Sequence, residues 1–306
     1  MKQSPPYLVK ARMVSILRKE RDASMKYERV DMNNKVVVIT GANTGIGKVT
    51  AGELAAQGAE VFLACRSADK AQPVIDEIRT QTGNNGVHFL SLDLSDLASV
   101  RAAAETFLAT GKPLHLLINN AGLAGAKGIT VDGFETTFGV NHLGHFLFTE
   151  LLLERMPDGG RIVVVASRAH YDAKSIPWDK LLTPTHTVTG LSEYAVSKLA
   201  NVLHAKELAK RLASRNITTY SLHPGVVASD VWRAVPWPFR GLLKRFMLTV
   251  EDGAKTTLYC ATSVATGSES GLYYDTSAVR TPSQLAQDDT LASELWTRSA
   301  EMVGLV

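Results

Sequence analysis

The strongest constraint on the fold is a short apolar segment that runs into a glycine-rich loop and then into a helix. Residues 35–39 read Lys-Val-Val-Val-Ile, residues 40–47 read Thr-Gly-Ala-Asn-Thr-Gly-Ile-Gly, and a helical pattern follows over 49–57. Glycines permit a tight turn and let a pyrophosphate approach the N-terminus of a helix closely. We predict a dinucleotide cradle, with a plain strand-to-helix turn as the alternative. Its predicted members are Gly41, Asn43, Thr44, Gly45, Ile46 and Gly47.

Strand patterns alternate with helical patterns along the rest of the chain. Such alternation implies right-handed crossovers and a parallel sheet, with the ligand beyond the carboxyl ends of the strands. We therefore predict an α/β protein with a three-layer, doubly wound Rossmann fold around a central parallel sheet. Residues 1–34 would be an N-terminal extension and residues 35–306 a single catalytic domain. Beyond the first strand, strands are predicted at 60–65, 87–92, 114–118, 161–166, 216–222 and 271–274, and long helices at 132–156, 191–214 and 251–262.

Charge and cysteine content narrow the class of partner. The chain has 33 basic and 30 acidic residues, a net charge of +3 that is too small to indicate a nucleic-acid surface. Cys65 and Cys260 lie in apolar segments, which favours buried thiols in a reducing compartment. Residues 1–34 contain neither the roughly 18 apolar residues that span a bilayer nor a signal-peptide pattern. We expect a cytoplasmic protein whose extension packs on its own domain, with peripheral membrane contact as the alternative.

The residue after the second predicted strand bears on the choice of cofactor. An acidic residue there binds the ribose diol of NAD, whereas a basic residue suits the 2′-phosphate of NADP. Arg66 occupies this position. We predict NADP(H) as the cofactor and NAD(H) as the second choice. Lys48 and Lys70 are weaker candidates to assist, and a solvated arginine at a strand end is the alternative reading.

Two further strand ends carry small or polar residues. Asp93, followed by Leu94, is placed to accept a hydrogen bond from the adenine amino group or to cap the helix that follows. The small residues of Asn119-Asn120-Ala121-Gly122 let the chain pass close to a cofactor ribose. The cofactor-binding residues predicted here are Asp93, Leu94, Asn120, Ala121 and Gly122.

Tyr194 and Lys198 lie four residues apart within a helical pattern, so both side chains share one face. An ammonium close to a phenol favours the phenolate and lowers its pKa, so that the tyrosine exchanges protons near neutral pH. Ser167 follows a predicted strand at the same edge of the sheet, where a cap or turn residue is the alternative. His142 and His145 are three apart but have no further ligands nearby in sequence, so ordinary helix residues are favoured and no metal site is predicted.

Five motifs in one order carry a family resemblance. They are the glycine loop at 40–47, Asn-Asn-Ala-Gly at 119–122, the serine at 167, Tyr-(x3)-Lys at 194–198 and Pro-Gly at 224–225. Across residues 36–275 the chain resembles the short-chain dehydrogenase/reductase family. Finer features, such as Asp-Gly-Phe-Glu at 132–135 and His-Pro-Gly-Val-Val at 223–227, are similar to the retinol dehydrogenase branch.

The resemblance implies a role for each residue that matches a motif. Tyr194 would be the general acid/base, and Lys198 would hold the nicotinamide ribose and lower the pKa of Tyr194. Ser167 would bind the reacting oxygen. Asn141 would anchor, through the helix backbone and a water, a proton relay to Lys198. Further cofactor contacts are implied at Pro224, Gly225, Val227 and Ser229.

The same resemblance implies an NADP(H)-dependent oxidoreductase that interconverts a lipophilic alcohol and its aldehyde or ketone by hydride transfer. The family commonly dimerises through helices 132–156 and 191–214, so a homodimer is one expected assembly. A non-catalytic, NADP-sensing regulatory or interaction protein is the alternative function. Substrate loops are expected at about 168–190 and 230–250, with an apolar pocket lined by Tyr171, Trp178, Trp232, Trp237, Phe239, Phe246 and Met247.

Overall fold

The computed structural model describes residues 27–225 and 248–306, which fold around one eight-stranded sheet. The strands are β1 Val36–Thr40, β2 Glu60–Cys65, β3 Val87–Ser91, β4 Leu116–Asn119, β5 Arg161–Val165, β6 Thr218–His223, β7 Leu272–Asp275 and β8 Ala278–Val279. Their spatial order is β3-β2-β1-β4-β5-β6-β7-β8, parallel throughout except for β8, which is antiparallel to β7. The predicted α/β fold with a central parallel sheet is confirmed.

Helices cover both faces of the sheet. In residues 27–225 and 248–306, none of them is both long and apolar enough to cross a membrane. The helices are α1 Gly45–Ala56, α2 Ala68–Thr82, α3 Leu97–Leu108, α4 (Thr136–Phe138, a π-helical stretch Gly139–Leu143, and Gly144–Leu152), α5 Leu191–Arg211, α6 Val250–Thr262, α7 Gln284–Gln287 and α8 Asp289–Met302.

The side chains of β1 show why the chain forms three layers. Val36 and Val38 point into the core under α3, α4, α5 and α8, whereas Val37 and Ile39 point into the core under α1, α2 and α6. Successive strand residues face opposite sides, so a strand buried on both faces is apolar at nearly every position, and polar Thr40 comes only at the end of β1. All five residues of β1 are buried. The thiols of Cys65 and Cys260 are free and buried, as predicted.

The position of β1 in the sheet fixes where a ligand can bind. β1 pairs with β2 on one side and with β4 on the other. The connections that leave β1 and β4 therefore run to opposite faces of the sheet, and they open a crevice at the carboxyl ends of the two strands. The glycine loop after β1 and the Asn-Ala-Gly segment after β4 lie at this crevice.

Part of the predicted N-terminal extension belongs to the domain. The backbone N–H of Val30 donates to Thr262 O at 2.7 Å, and that of Val264 donates to Glu28 O at 2.9 Å. The Tyr27 ring packs edge-on against Tyr259 with the ring centroids 4.9 Å apart. Residues 27–34 are therefore tied to the end of α6, and the domain begins before residue 35.

The start of α4 differs from its prediction. Apolar periodicity predicts a helix from residue 132, but the helix begins at Thr136 because the Glu135 carboxylate accepts the backbone N–H of Phe138 at 2.8 Å. A side-chain acceptor at this position caps the N-terminus of the helix, so the helix starts here and not at residue 132. Asn141 lies in the π-helical stretch that follows. The wider turn of this stretch shifts Asn141 from the direction that regular α-helical spacing predicts.

Two fully buried histidines lie on the helices that flank the site. Burial lowers the pKa of His145 on α4 to about 4 and that of His204 on α5 to about 3, from an ordinary value of 6.5. An unfolded chain therefore binds protons between pH 6.5 and 4 that the folded chain does not bind. The resulting stability is fully present above pH 6.5 and is lost as the pH falls through this window.

We predict that the free energy of unfolding falls by about 1.4 kcal/mol per pH unit for each of these histidines below pH 6.5. Substituting His204→Phe removes one titrating group at a position packed between aromatic rings. Urea unfolding at pH 7.0, 6.0 and 5.0 should give a shallower pH dependence for this variant than for the wild type. His186→Ala, at an exposed histidine, is the matched control and should keep the wild-type slope. Equal slopes for all three proteins would contradict the prediction.

Candidate active site

A cavity of about 950 Å³ opens at the carboxyl ends of β1, β2, β4, β5 and β6. Its position is the one expected for a ligand in a doubly wound sheet, because the strand ends and the connecting loops form its walls. It brings together seventeen of the residues predicted for the site: Gly41, Asn43, Thr44, Gly45, Ile46, Gly47, Arg66, Asp93, Leu94, Asn120, Ala121, Gly122, Ser167, Tyr194, Lys198, Pro224 and Gly225.

The glycine loop leaves space that side chains would fill. Gly41 and Gly45 have φ angles of 65° and 56°, in the left-handed region that favours glycine. A Cβ atom on Gly47 would lie 2.5 Å from Gly41 O and 2.6 Å from Asn120 Nδ2. Helix α1 begins after Thr44, whose side chain makes no capping hydrogen bond to the helix. Gly45, Ile46 and Gly47, the first residues of α1, line the cavity, and a helix N-terminus at this position fits the pyrophosphate of a dinucleotide.

The predicted cofactor residues at the ends of β2 and β3 occupy different surroundings. Arg66 is exposed at the cavity edge, whereas the ammonium of Lys48 pairs with Glu77 at 2.7 Å. Asp93 does not cap α3, since Asp96 does so by accepting the N–H groups of Ala98 and Ser99. The Asp93 carboxylate instead holds the turn before that helix.

Ser167, Tyr194 and Lys198 meet at one wall of the cavity. Ser167 follows β5 and lies close to the Tyr194 phenol, while its Oγ accepts the N–H of Ala169 at 3.2 Å. Lys198 is one helical turn beyond Tyr194 on α5, with its Nζ 5.7 Å from the centre of the tyrosine ring. The Lys198 ammonium donates to Val165 O at 2.9 Å. A strand end and a helix face together form the group.

The pKa of Tyr194 is raised in this structure, in contrast to the expected lowering by Lys198. Burial raises the pKa of the phenol, and the nearby Ser167 hydroxyl offsets part of this rise. Burial also lowers the pKa of Lys198 to about 7, so the ammonium is itself partly deprotonated at neutral pH. The expectation from spacing is wrong because it counts the nearby charge and omits the desolvation of both groups.

Asn141 lies behind this wall rather than on it. Its amide nitrogen donates to Leu123 O and Ser197 Oγ, both at 3.0 Å, and its Oδ1 accepts the N–H of Leu123 at 3.0 Å. The backbone carbonyl of Asn141 accepts a hydrogen bond from His145 Nδ1 at 3.0 Å. The side chain therefore joins the segment after β4 to α5.

Of the predicted aromatic pocket residues, the two that the structure describes, Tyr171 and Trp178, do not line the cavity. Tyr171 is half exposed and donates its hydroxyl to Thr281 O, and Trp178 stacks with the Arg298 guanidinium, 4.7 Å from its ring centre. Both side chains face the C-terminal part of the chain. The remaining predicted residues lie outside the described residues; they are Val227, Ser229, Trp232, Trp237, Phe239, Phe246 and Met247.

An apolar part of the cavity is formed by residues that the sequence analysis missed. Ile129, Val131 and Leu191 line it, and all three side chains are at least 44 % exposed. Ile129 and Val131 lie in the loop between β4 and α4, where large apolar residues gain nothing from exposure to water. Large apolar residues in a loop are the sequence signal that would have identified them. Val140, Arg168 and His223 also line the cavity and were not predicted.

Two carboxylates fold the loop between Ser167 and Tyr194 against the domain. Glu193 accepts the backbone N–H groups of His186 and Thr187 at 3.1 and 2.9 Å. Buried Glu135 accepts the hydroxyl of Thr185, whose backbone N–H in turn donates to Gly128 O at 3.2 Å. These bonds place the loop beside residues 128–131, next to the apolar part of the cavity.

No group of three or more His, Cys, Asp or Glu side chains suited to a metal ion occurs in the described part of the chain. His145 Nε2 bonds with the hydroxyl of Thr40 at 2.8 Å, and His142 Nε2 bonds with the hydroxyl of Ser299 at 2.8 Å. Each histidine thus has a structural partner inside the protein.

Comparison with known proteins decides the family. A family model described as short chain dehydrogenase matches residues 35–177. Human (Homo sapiens) retinol dehydrogenase 12 is 46 % identical over 284 residues, which cover 90 % of this chain and 88 % of that protein. The chain belongs to the short-chain dehydrogenase/reductase family. The predicted resemblance to the family, and to its retinol dehydrogenase branch, is confirmed.

Solved structures agree with this assignment. A crystal structure of an uncharacterized protein from Mycobacterium Paratuberculosis is 33 % identical, with a TM-score of 0.74 over 91 % of this chain and 96 % of that chain. A blue fluorescent protein from a metagenomic library, crystallised in complex with NADPH, is 28 % identical, with a TM-score of 0.66 over 80 % and 97 % of the two chains. This short-chain dehydrogenase/reductase is an oxidoreductase that uses a nicotinamide dinucleotide.

We predict that Gly47→Ala sharply weakens dinucleotide binding. The added Cβ meets a backbone carbonyl and the Asn120 amide, and relieving such an overlap costs about 1–3 kcal/mol and shifts the loop. Titration of the protein's effect on NADPH fluorescence measures the change in Kd. Gly52→Ala is the matched control on the same helix, because its Cβ would meet nothing closer than Ile78 Cγ1 at 3.9 Å. Equal affinities for both variants would argue against the cradle.

Proposed function

We propose that this protein is an NADP(H)-dependent oxidoreductase that interconverts a lipophilic alcohol and its aldehyde or ketone. The observation that carries the proposal is the pair of neighbouring Ser167 and Tyr194 hydroxyls, with Lys198 beside Tyr194, on the wall of a cavity that also contains the glycine cradle. A proton donor, an oxygen-binding hydroxyl and a dinucleotide site in one cavity suit carbonyl reduction.

Each side chain has a defined task in this reaction. Ser167 binds the substrate oxygen and Tyr194 exchanges the proton with it, since both hydroxyls lie close together on the cavity wall. Lys198 holds ribose hydroxyls with an ammonium that Val165 O fixes from the other side. When bound, the nicotinamide supplies or accepts the hydride. Asn141 orients α5 through Ser197 and anchors the proposed relay to Lys198.

The substrate class follows from the apolar part of the cavity. Ile129, Val131 and Leu191 present exposed aliphatic surface to the cavity that Tyr194 also lines, so a hydrophobic substrate body would remove this surface from water. The name of the related retinol dehydrogenase 12 supports a lipophilic alcohol as one substrate type.

We predict that Tyr194→Phe lowers kcat for carbonyl reduction by about 100- to 10,000-fold, because it removes the proton donor. NADPH oxidation over aldehydes and ketones of graded size, retinal included, provides the measurement. Tyr259→Phe, on α6 in the opposite helical layer, should retain wild-type turnover. Wild-type rates in Tyr194→Phe would contradict the assignment of Tyr194 as the proton donor. Tight NADPH binding without turnover of any substrate would favour the non-catalytic alternative.

Cofactor preference depends on Arg66. Its guanidinium is exposed at the cavity edge, directly after β2, where a 2′-phosphate would lie. Hydrogen bonds to charged groups contribute about 1.5–3 kcal/mol, which is roughly a 10- to 100-fold change in Kd. We expect Arg66→Asp to weaken NADPH by this factor and to leave NADH nearly unchanged. Parallel titrations with the two cofactors measure the ratio, and an equal loss for both would show that Arg66 does not bind the phosphate.

A further inference from the structure

The turn that directly follows Ser167 is bonded to the C-terminal part of the chain. This turn, Arg168–Asp172, is a short 3-10 helix. Arg168 Nε pairs with Asp275 Oδ2 at 2.6 Å, and the Tyr171 hydroxyl donates to Thr281 O at 2.5 Å. Between these two contacts, the backbone N–H of Ser283 donates to His170 Nε2 at 3.1 Å. Three consecutive contacts thus fix the segment beside the reacting hydroxyls.

His170 is the buried member of this turn. Its ring is fully enclosed and lies edge-on to Tyr273, with the ring centres 4.7 Å apart. Nδ1 bonds with the backbone carbonyl of Ser167 at 2.7 Å. A carbonyl only accepts and an N–H only donates, so the ring must be neutral with its proton on Nδ1. The N–H of Ser283 therefore selects the tautomer that donates to Ser167.

The bond from His170 acts on the backbone that orients the serine hydroxyl. Ser167 O also accepts the backbone N–H of His170 at 3.2 Å, and Ser167 Oγ accepts that of Ala169 at 3.2 Å. Peptide and side chain of Ser167 are consequently fixed within one turn. The Ser167 oxygen accepts the N–H of Ala169, so its hydroxyl proton remains available to donate towards the nearby Tyr194 phenol.

We infer that His170 is a positioning residue for the reaction: its Nδ1–H holds the Ser167 carbonyl and thereby aims the Ser167 hydroxyl at Tyr194. The ring is not part of the cavity lining, so His170 acts through Ser167 and does not touch substrate. This inference rests on the proposed function, because it assigns a task within the same reaction. It also gives the C-terminal segment 275–283 a share in the geometry of the site.

Three substitutions separate the two hydrogen bonds of the ring. An asparagine amide nitrogen lies near the position of Nδ1, so His170→Asn keeps the donor to Ser167 and, having a fixed donor, needs no tautomer selection. His170→Gln places an amide near Nε2 and keeps only the contact with Ser283. His170→Leu removes both. Comparing the three variants therefore shows which of the two hydrogen bonds is required for turnover.

We expect His170→Asn to keep kcat within about threefold of wild type, whereas His170→Gln and His170→Leu lower kcat by about tenfold or more, as misplaced catalytic groups do. NADPH Kd should stay unchanged in all three, because the cradle is formed by other segments. Rescue by asparagine, together with a loss in kcat and not in cofactor affinity, is what a purely structural role would not produce. Equal loss in the asparagine and leucine variants, or no loss in any variant, would overturn the inference.

A readout without turnover separates this inference from the proposed function. If none of the carbonyl compounds tested supports NADPH oxidation by the wild type, the proposed function is wrong. Hydrogen–deuterium exchange still tests the role of His170 in that case. The amides of residues 168–170 should exchange faster in His170→Leu than in wild type, and at the wild-type rate in His170→Asn. Unchanged exchange in His170→Leu would show that the ring does not hold this turn.

Discussion

The geometry of the site depends on the burial of the Lys198 ammonium. It is 3 % exposed, and burial of a cation without enough partners is unfavourable, so its pKa falls to about 7. Val165 O provides one acceptor, and Gly122 lets the chain pass so closely that an added Cβ would lie 3.5 Å from Nζ. Helix α5, which carries Lys198, is buried over most of its length. The same helix holds Tyr194 one turn before Lys198, beside Ser167.

Neutral hydrogen bonds tie the cradle to the helix that carries Asn141. Thr40 Oγ1 accepts the N–H groups of Asn120 and Ala121, both at 2.9 Å, and shares its own proton with His145 Nε2 at 2.8 Å. His145 Nδ1 then donates to Asn141 O. The same motif recurs at His170: in both places burial keeps an imidazole neutral, and its two nitrogens join segments far apart in sequence.

Sequence patterns predicted the local elements of the site well. Strand-then-glycine spacing located Gly41, Gly45 and Gly47 on the cavity, and helical spacing placed Tyr194 over Lys198. Patterns failed where a long-range contact decides the outcome. Aromatic character suggested Tyr171 and Trp178 as pocket residues, but Thr281 O and the Arg298 guanidinium hold them elsewhere. The apolar wall at 129–131 was missed because its partner loop is more than fifty residues away in the sequence.

By itself, the sequence determined the alternation of strands and helices, the glycines that a tight turn demands and the placement of Tyr194 and Lys198 on one helix face, because these depend on neighbours within a few residues. Only the tertiary structure decided the charge state of the site. Burial raises the pKa of Tyr194, against the direction that its spacing from Lys198 predicts, and it lowers the pKa of Lys198. Tertiary contacts also bring Ser283 to His170, since desolvation and hydrogen bonding are set by whichever segments the fold packs around a group.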